Sequence, residues 1–117
     1  MRLEARKYLY DIQDAAGLVA QFAVGKTLND YRADPMLRFA VERAFSIIGE
    51  ALVQLARLDA VLAAQITDSR NIIAFRNILI HAYAHIDDRI VWEIVEYRLP
   101  VLIHDVAELM KLPDEAP

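Results

Sequence analysis

The stretch Phe75-Arg76-Asn77-Ile78-Leu79-Ile80-His81-Ala82-Tyr83 sets an arginine, a histidine and a tyrosine inside an otherwise apolar run. On an ideal helical wheel of about 100° per residue with Arg76 at zero, Ile80 and Ile72 fall at about +40° and −40°, and Leu79 and Ile73 at about −60° and +60°. Arg76 is thus centred on an apolar stripe. Tyr83, seven residues on, returns to within about 20° of it. Asn77, His81 and His85 stand at i, i+4 and i+8 and make a second, polar stripe, while Phe75, Ala74, Ile78 and Ala82 fill the remaining arc. A helix that is apolar nearly all round is buried or interfacial. A guanidinium there costs several kcal/mol unless it is paired, so the segment predicts both a helical core and a site.

Working outward, the flanking sequence reads as more helix. Tyr8, Ile12, Ala15, Val19 and Phe22 recur at helical spacing from about Arg2 to Val24, with Gly25 as a stop. The residues from there through Asp34 read as loop. Asp34-Pro35 is a start signal, Asp as N-cap and Pro at the first helical position, for a helix reaching Leu58. A short helical piece over 59–65 leads to Thr67-Asp68-Ser69, which offers N-caps for the Arg76 helix, running to about Tyr83 or His85. Asp87-Asp88 caps a last helix from Arg89 to about Lys111, kinked at Pro100, whose ring removes a donor and clashes one turn back.

Composition agrees. Of 117 residues 56% are hydrophobic and 26% charged, enough apolar material for one domain and too short a chain for two. With only 3 Gly and 4 Pro, an all-α protein is favoured over a turn-rich β design. The absence of cysteine rules out disulfides and thiolate chemistry and fits a reducing cytoplasm. No apolar run reaches the ~20 residues of a membrane span. A net charge of −4 argues against a broad basic face coating nucleic acid, yet Arg70, Arg76, His81, His85 and Arg89 gather into a confined positive stretch.

The expected architecture is an antiparallel four-helix bundle with a short extra helix, residues 1–112, followed by a frayed tail, 113–117. The Arg76 helix is expected at its centre. Having two apolar arcs, it could bury one against its own bundle and the other against a second copy, which predicts a two-fold homodimer. Gly49, mid-helix, disfavours helix by up to ~1 kcal/mol relative to Ala, and close helix approach would compensate.

The polar residues admit plain readings. Arg76 could be a buried ion-pair partner of Glu50, itself set in Ile47-Ile48-Gly49-Glu50-Ala51-Leu52. His81 alone would be a hydrogen-bonded core histidine, and Tyr83 a packed aromatic. His81 and His85 have metal-ligand spacing but no acidic residue at a helical offset inside the pair, so no metal is expected. Taken together, however, the set can do chemistry. His81 exchanges protons near neutral pH, Arg76 can hold a phosphate and its developing charge, and Asn77 can orient either. That suffices for RNA cleavage without a metal, through attack of the 2′-hydroxyl on the adjacent phosphate. Along one straight helix Arg76 and His81 diverge by about 140° and ~7.5 Å of rise, so either the helix end unwinds or two copies share a composite cleft, and the doubled apolar surface favours the second.

The pattern Arg-x4-His-x-Tyr, with Ile86-Asp87, Val91-Trp92, Ile48-Gly49-Glu50-Ala51 and the Phe22 to Thr27 helix end, resembles the HepT-like ribonuclease toxins of the HEPN superfamily over most of the chain. The resemblance implies a dimeric helical bundle that cuts RNA without metal or other cofactor, with Arg76 and His81 as catalytic residues in an interfacial cleft and Asn77 in support. It further implies a type VII toxin-antitoxin pair, in which a minimal nucleotidyltransferase antitoxin transfers AMP from ATP to Tyr83. The adenylate would add bulk and negative charge beside Arg76 and compete with RNA. Two alternatives stand beside this. The chain could be a catalytically inactive helical docking partner of such a nucleotidyltransferase, or a bundle in which Arg76 and Glu50 are a structural pair.

Overall fold

A computed structural model describes residues 1–82 and 85–115 and is all-α, with no strand among the described residues. Helix α1 spans Leu3–Ala23, α2 Leu28–Ala33, α3 Pro35–Leu58, α4 Ala60–Ala64 and α5 Ser69–His81. Then α6, Asp88–Glu93, runs through a π-helical stretch, Ile94–Arg98, into α7, Leu99–Leu109. The long helices fall where their periodicity puts them.

Along α1 the buried residues are Ala5, Leu9, Ile12, Ala15, Ala16 and Val19, a stripe at helical spacing. Phe22, expected on that stripe, is instead exposed: with Leu18 it borders a groove whose other wall is Ala40, Arg43 and Ile47 of α3. Helix α3 starts as its sequence dictates. The Asp34 carboxylate accepts from the backbone N–H groups of Met36 and Leu37 at 3.0 and 3.2 Å, and Pro35 occupies the first turn.

The segment before Asp34, expected as loop, contains α2. Thr27 and Asp30 make a reciprocal cap, Thr27 Oγ1 accepting from Asp30 N–H and the Asp30 carboxylate accepting from Thr27 N–H. This pulls the Asp30 carboxyl below its ordinary range. The helix exists to place Tyr31, which is fully buried with its ring centroid 5.3 Å from that of Trp92 on α6.

The central position belongs to α3 rather than to the Arg76 helix. Helices α1, α2, α4 and α5 all pack on α3, and the C-terminal helix closes against α1. The physical reason is width of the apolar arc: α3 buries residues from Leu37 to Leu55 on nearly every turn, whereas α5 buries only Phe75 and Leu79. Phe75 meets Phe45 of α3 edge to face, centroids 5.5 Å apart.

Two helix ends depart from expectation. Asp68, at the N-cap of α5, has φ 58° and its side chain caps nothing; its carboxylate accepts from Arg98 Nη1 at 2.7 Å. At the far end α5 stops at His81, short of the expected Tyr83 or His85. The irregularity foreseen at Pro100 lies one turn earlier, where Leu99 N–H bonds the Ile94 carbonyl five residues back. Beyond α7, Arg6 of α1 donates to Asp114 and to the carbonyls of Met110 and Leu112. Among the described residues no helix is long and apolar enough to cross a membrane.

Candidate functional site

Arg76 projects from the middle of α5 onto α3, and the residue it meets there is Gly49. Gly49 is buried and bare of side chain, so the Arg76 Cβ and Cγ lie directly on its Cα face. The guanidinium then reaches the rim of α3. Arg76 Nη2 donates to Glu50 Oε2 at 2.5 Å, and Nη1 donates to Asn77 Oδ1 at 2.9 Å. Glu50 is fixed in turn by Gln54 one helical turn on, whose Nε2 donates to Oε1 at 3.0 Å. Of the five N–H donors of the guanidinium two are thus engaged. The Nε–H is buried without a hydrogen-bond partner among the described residues, leaving one N–H on each of Nη1 and Nη2.

The expected pairing of Arg76 with Glu50 is present, though not as a buried pair. The Arg76 side chain is 23% exposed and that of Glu50 48%, so water reaches both side chains. Each of Nη1 and Nη2 keeps one N–H that can donate to a phosphate oxygen. Asn77 is in place to hold the guanidinium. Gln54, which sequence reasoning passed over, is the fourth member, and its signal was the i, i+4 spacing from Glu50.

His81 is the last residue of α5 and is exposed. Among the described residues no hydrogen bond or ion pair joins it to Arg76. Because α5 is helical through both residues, their separation along the axis stays near the ideal ~7.5 Å and their side chains diverge by about 140°. Arg70, His85 and Arg89, the rest of the positive stretch, are also exposed. Tyr83 lies outside the described residues. A separate cleft lined by Phe45, Ile72, Phe75, Leu99 and Leu102 contains neither Arg76 nor His81.

A family model described as Ribonuclease HepT-like matches residues 12–109, which take in Gly49, Glu50, Arg76, Asn77 and His81. The chain belongs to the HepT-like ribonuclease family. Relatives of this HepT-like chain include a Thermococcus cleftensis protein named "Probable ribonuclease HepT", 33% identical over 95% of this chain and 100% of the relative. A Methanocaldococcus jannaschii protein named "Putative RNase MJ1380" is 33% identical over 88% of this chain and 94% of its own. A third, "Putative RNase TTE0752" of Caldanaerobacter subterraneus, is 29% identical over 91% and 94%. No solved structure matches this HepT-like sequence.

Proposed function

We propose that this HepT-like chain is the toxin of a toxin-antitoxin pair, an endoribonuclease that needs no metal and works as a two-fold homodimer. The observation that carries the reading is the Arg76 guanidinium, seated on α3, held by Glu50 and Asn77, and left with one unengaged N–H on each of Nη1 and Nη2 to offer a phosphodiester. In the proposed reaction the 2′-oxygen attacks the adjacent phosphorus while the bond to the 5′-oxygen breaks. Arg76 stabilises the charge that builds on the phosphoryl oxygens, and His81 moves the proton, off the 2′-hydroxyl or onto the departing 5′-oxygen. The products are a 2′,3′-cyclic phosphate and a 5′-hydroxyl.

The divergence of Arg76 and His81 along α5 supports a cleft shared by two copies, in which Arg76 of one protomer faces His81 of the partner subunit. Unpartnered apolar side chains support it too: Ile78 and Ile80 on α5, and Phe39 and Ile47 on α3, are all exposed. Neutralisation would follow from a nucleotidyltransferase antitoxin placing AMP from ATP on the Tyr83 hydroxyl, with pyrophosphate released. The residue is two positions beyond His81, so a phosphate there competes with RNA for the same cations.

The test is incubation of RNA with wild type and His81→Ala in excess EDTA, followed by analysis of the fragment ends. Cutting by wild type alone, leaving 2′,3′-cyclic phosphates, is the expected result. Intact RNA in both, with Tyr83 still accepting AMP from the antitoxin, would replace the enzyme by a docking partner.

A further inference from the structure

We infer that Gly49 and Glu50, successive residues of α3, are positioning residues for Arg76 and fix where its guanidinium stands for the phosphate; this rests on the ribonuclease reading above. A methyl group at Gly49 would lie 2.2 Å from Arg76 Cβ, 2.4 Å from Cγ and 3.4 Å from Cδ. Those first two atoms are the base of the side chain, and Cβ is set by the backbone of α5. Rotation of the far end of the arginine relieves nothing. Alanine at 49 must therefore push α5 and Arg76 away from α3 by about 1 Å.

Glu50 acts on the other end. It follows Gly49 by about 100° round α3, which brings its carboxylate to the rim where it takes Nη2, while Gln54 holds the carboxylate still. Asn77 takes Nη1. With its base pinned by the glycine and two donors tied, the guanidinium is held in place, and its remaining Nη N–H groups are positioned before any substrate arrives. The carboxylate also carries a negative charge beside the proposed phosphate position. It thus aims the arginine and opposes RNA at once, a combination that a merely structural ion pair does not produce.

The two effects separate in kinetics. In Glu50→Gln the amide oxygen still accepts from Nη2 while the charge is gone, so kcat is kept and KM falls. Glu50→Ala loses the aim, and kcat falls by up to about fivefold. In Gly49→Ala the displacement of about 1 Å lowers kcat by up to about 100-fold. Gly17→Ala, where nothing lies within 4 Å of the added methyl, is the control and cuts as wild type. All are measured below their melting ranges. NMR of the Arg76 Nε–H gives a readout free of activity: its buried hydrogen exchanges slowly with water in wild type and Glu50→Gln, and becomes faster or shifted in Gly49→Ala and Glu50→Ala.

A folded Gly49→Ala that cuts at the wild-type rate with an unshifted Nε–H overturns the inference. If Gly49→Ala does not fold, the Glu50 pair decides: equal losses in Gln and Ala, or none in Ala, overturn it. A wild type that leaves RNA intact sinks the ribonuclease reading and the catalytic role together, whereas a cutting wild type beside an unaffected Gly49→Ala sinks the positioning role alone.

Discussion

Nη2 of Arg76 and Oε2 of Glu50 meet at 2.5 Å across the seam of α3 and α5, yet nearly half of the Glu50 side chain remains in water. A pair so placed contributes about 1 kcal/mol or less to stability, because solvent screens it and would resolvate the carboxylate if the arginine left. Arg76→Met is therefore expected to lower the melting temperature by only a few degrees while removing RNA cleavage. A thermal melt beside a cleavage assay checks this, and a large loss of stability with activity retained would mark the pair as structural.

Gly17 offers the opposite case from Gly49. It sits mid-α1 with open space where a Cβ would go, so Gly17→Ala gains helix propensity without a clash and should stabilise by up to ~1 kcal/mol. Calorimetry should show a rise of a few degrees. A fall would mean that α1 meets something at that position in the assembled protein.

Glu42 on α3 titrates above its ordinary value near 4.5, first because it is partly buried and then because Asp88 stands near, with Arg38 opposing. A carboxyl raised in the folded state contributes stability that is present below about pH 4.5 and is lost as pH rises through the folded value. Glu42→Gln should thus be more stable than wild type at pH 7, and the gap should close toward pH 4. Chemical denaturation at the two pH values measures it; a gap that widens on acidification would contradict it.

The Tyr31 hydroxyl is buried with no partner among the described residues, and burial, with Glu42 and Asp88 nearby, pushes its ionisation well above the ordinary 10.0. Above pH 10 the unfolded chain ionises first, so stability falls with a slope that tends to about 1.4 kcal/mol per pH unit from this one group. Tyr31→Phe removes both the unpaired hydroxyl and that slope, and should leave neutral-pH stability equal or higher. Melts from pH 8 to pH 11 read the difference, and an unchanged alkaline slope would contradict the assignment.

The sequence made the long helices legible because their signals are local: the apolar spacing of α1 and α3, and the Asp34-Pro35 start. Helix α2 was legible in principle through Thr27-x-x-Asp30, a capping box with Asp in place of the usual Glu, but six residues hold too little periodicity to announce a helix. Asp68 misled for a long-range reason, since its partner Arg98 is thirty residues away. The wheel of α5 gave the direction of Arg76 but not what lay opposite. Gly49 decides that, and a missing side chain leaves no mark in the periodicity of its own helix. Centrality went to α3 because burial depends on all the faces that meet, which no single helix discloses.

The sharing of one cleft by two copies is tested most directly by mixing protomers. In the proposed dimer, Arg76→Ala and His81→Ala would each destroy both clefts, but a mixed dimer would keep one cleft in which an intact Arg76 faces an intact His81 of the partner subunit. Unfolding and refolding the two inactive variants together should restore cleavage to a sizeable fraction of wild type, with 2′,3′-cyclic phosphate ends. A mixture as inert as its components, with mixed dimers shown by mass to have formed, would contradict the shared cleft.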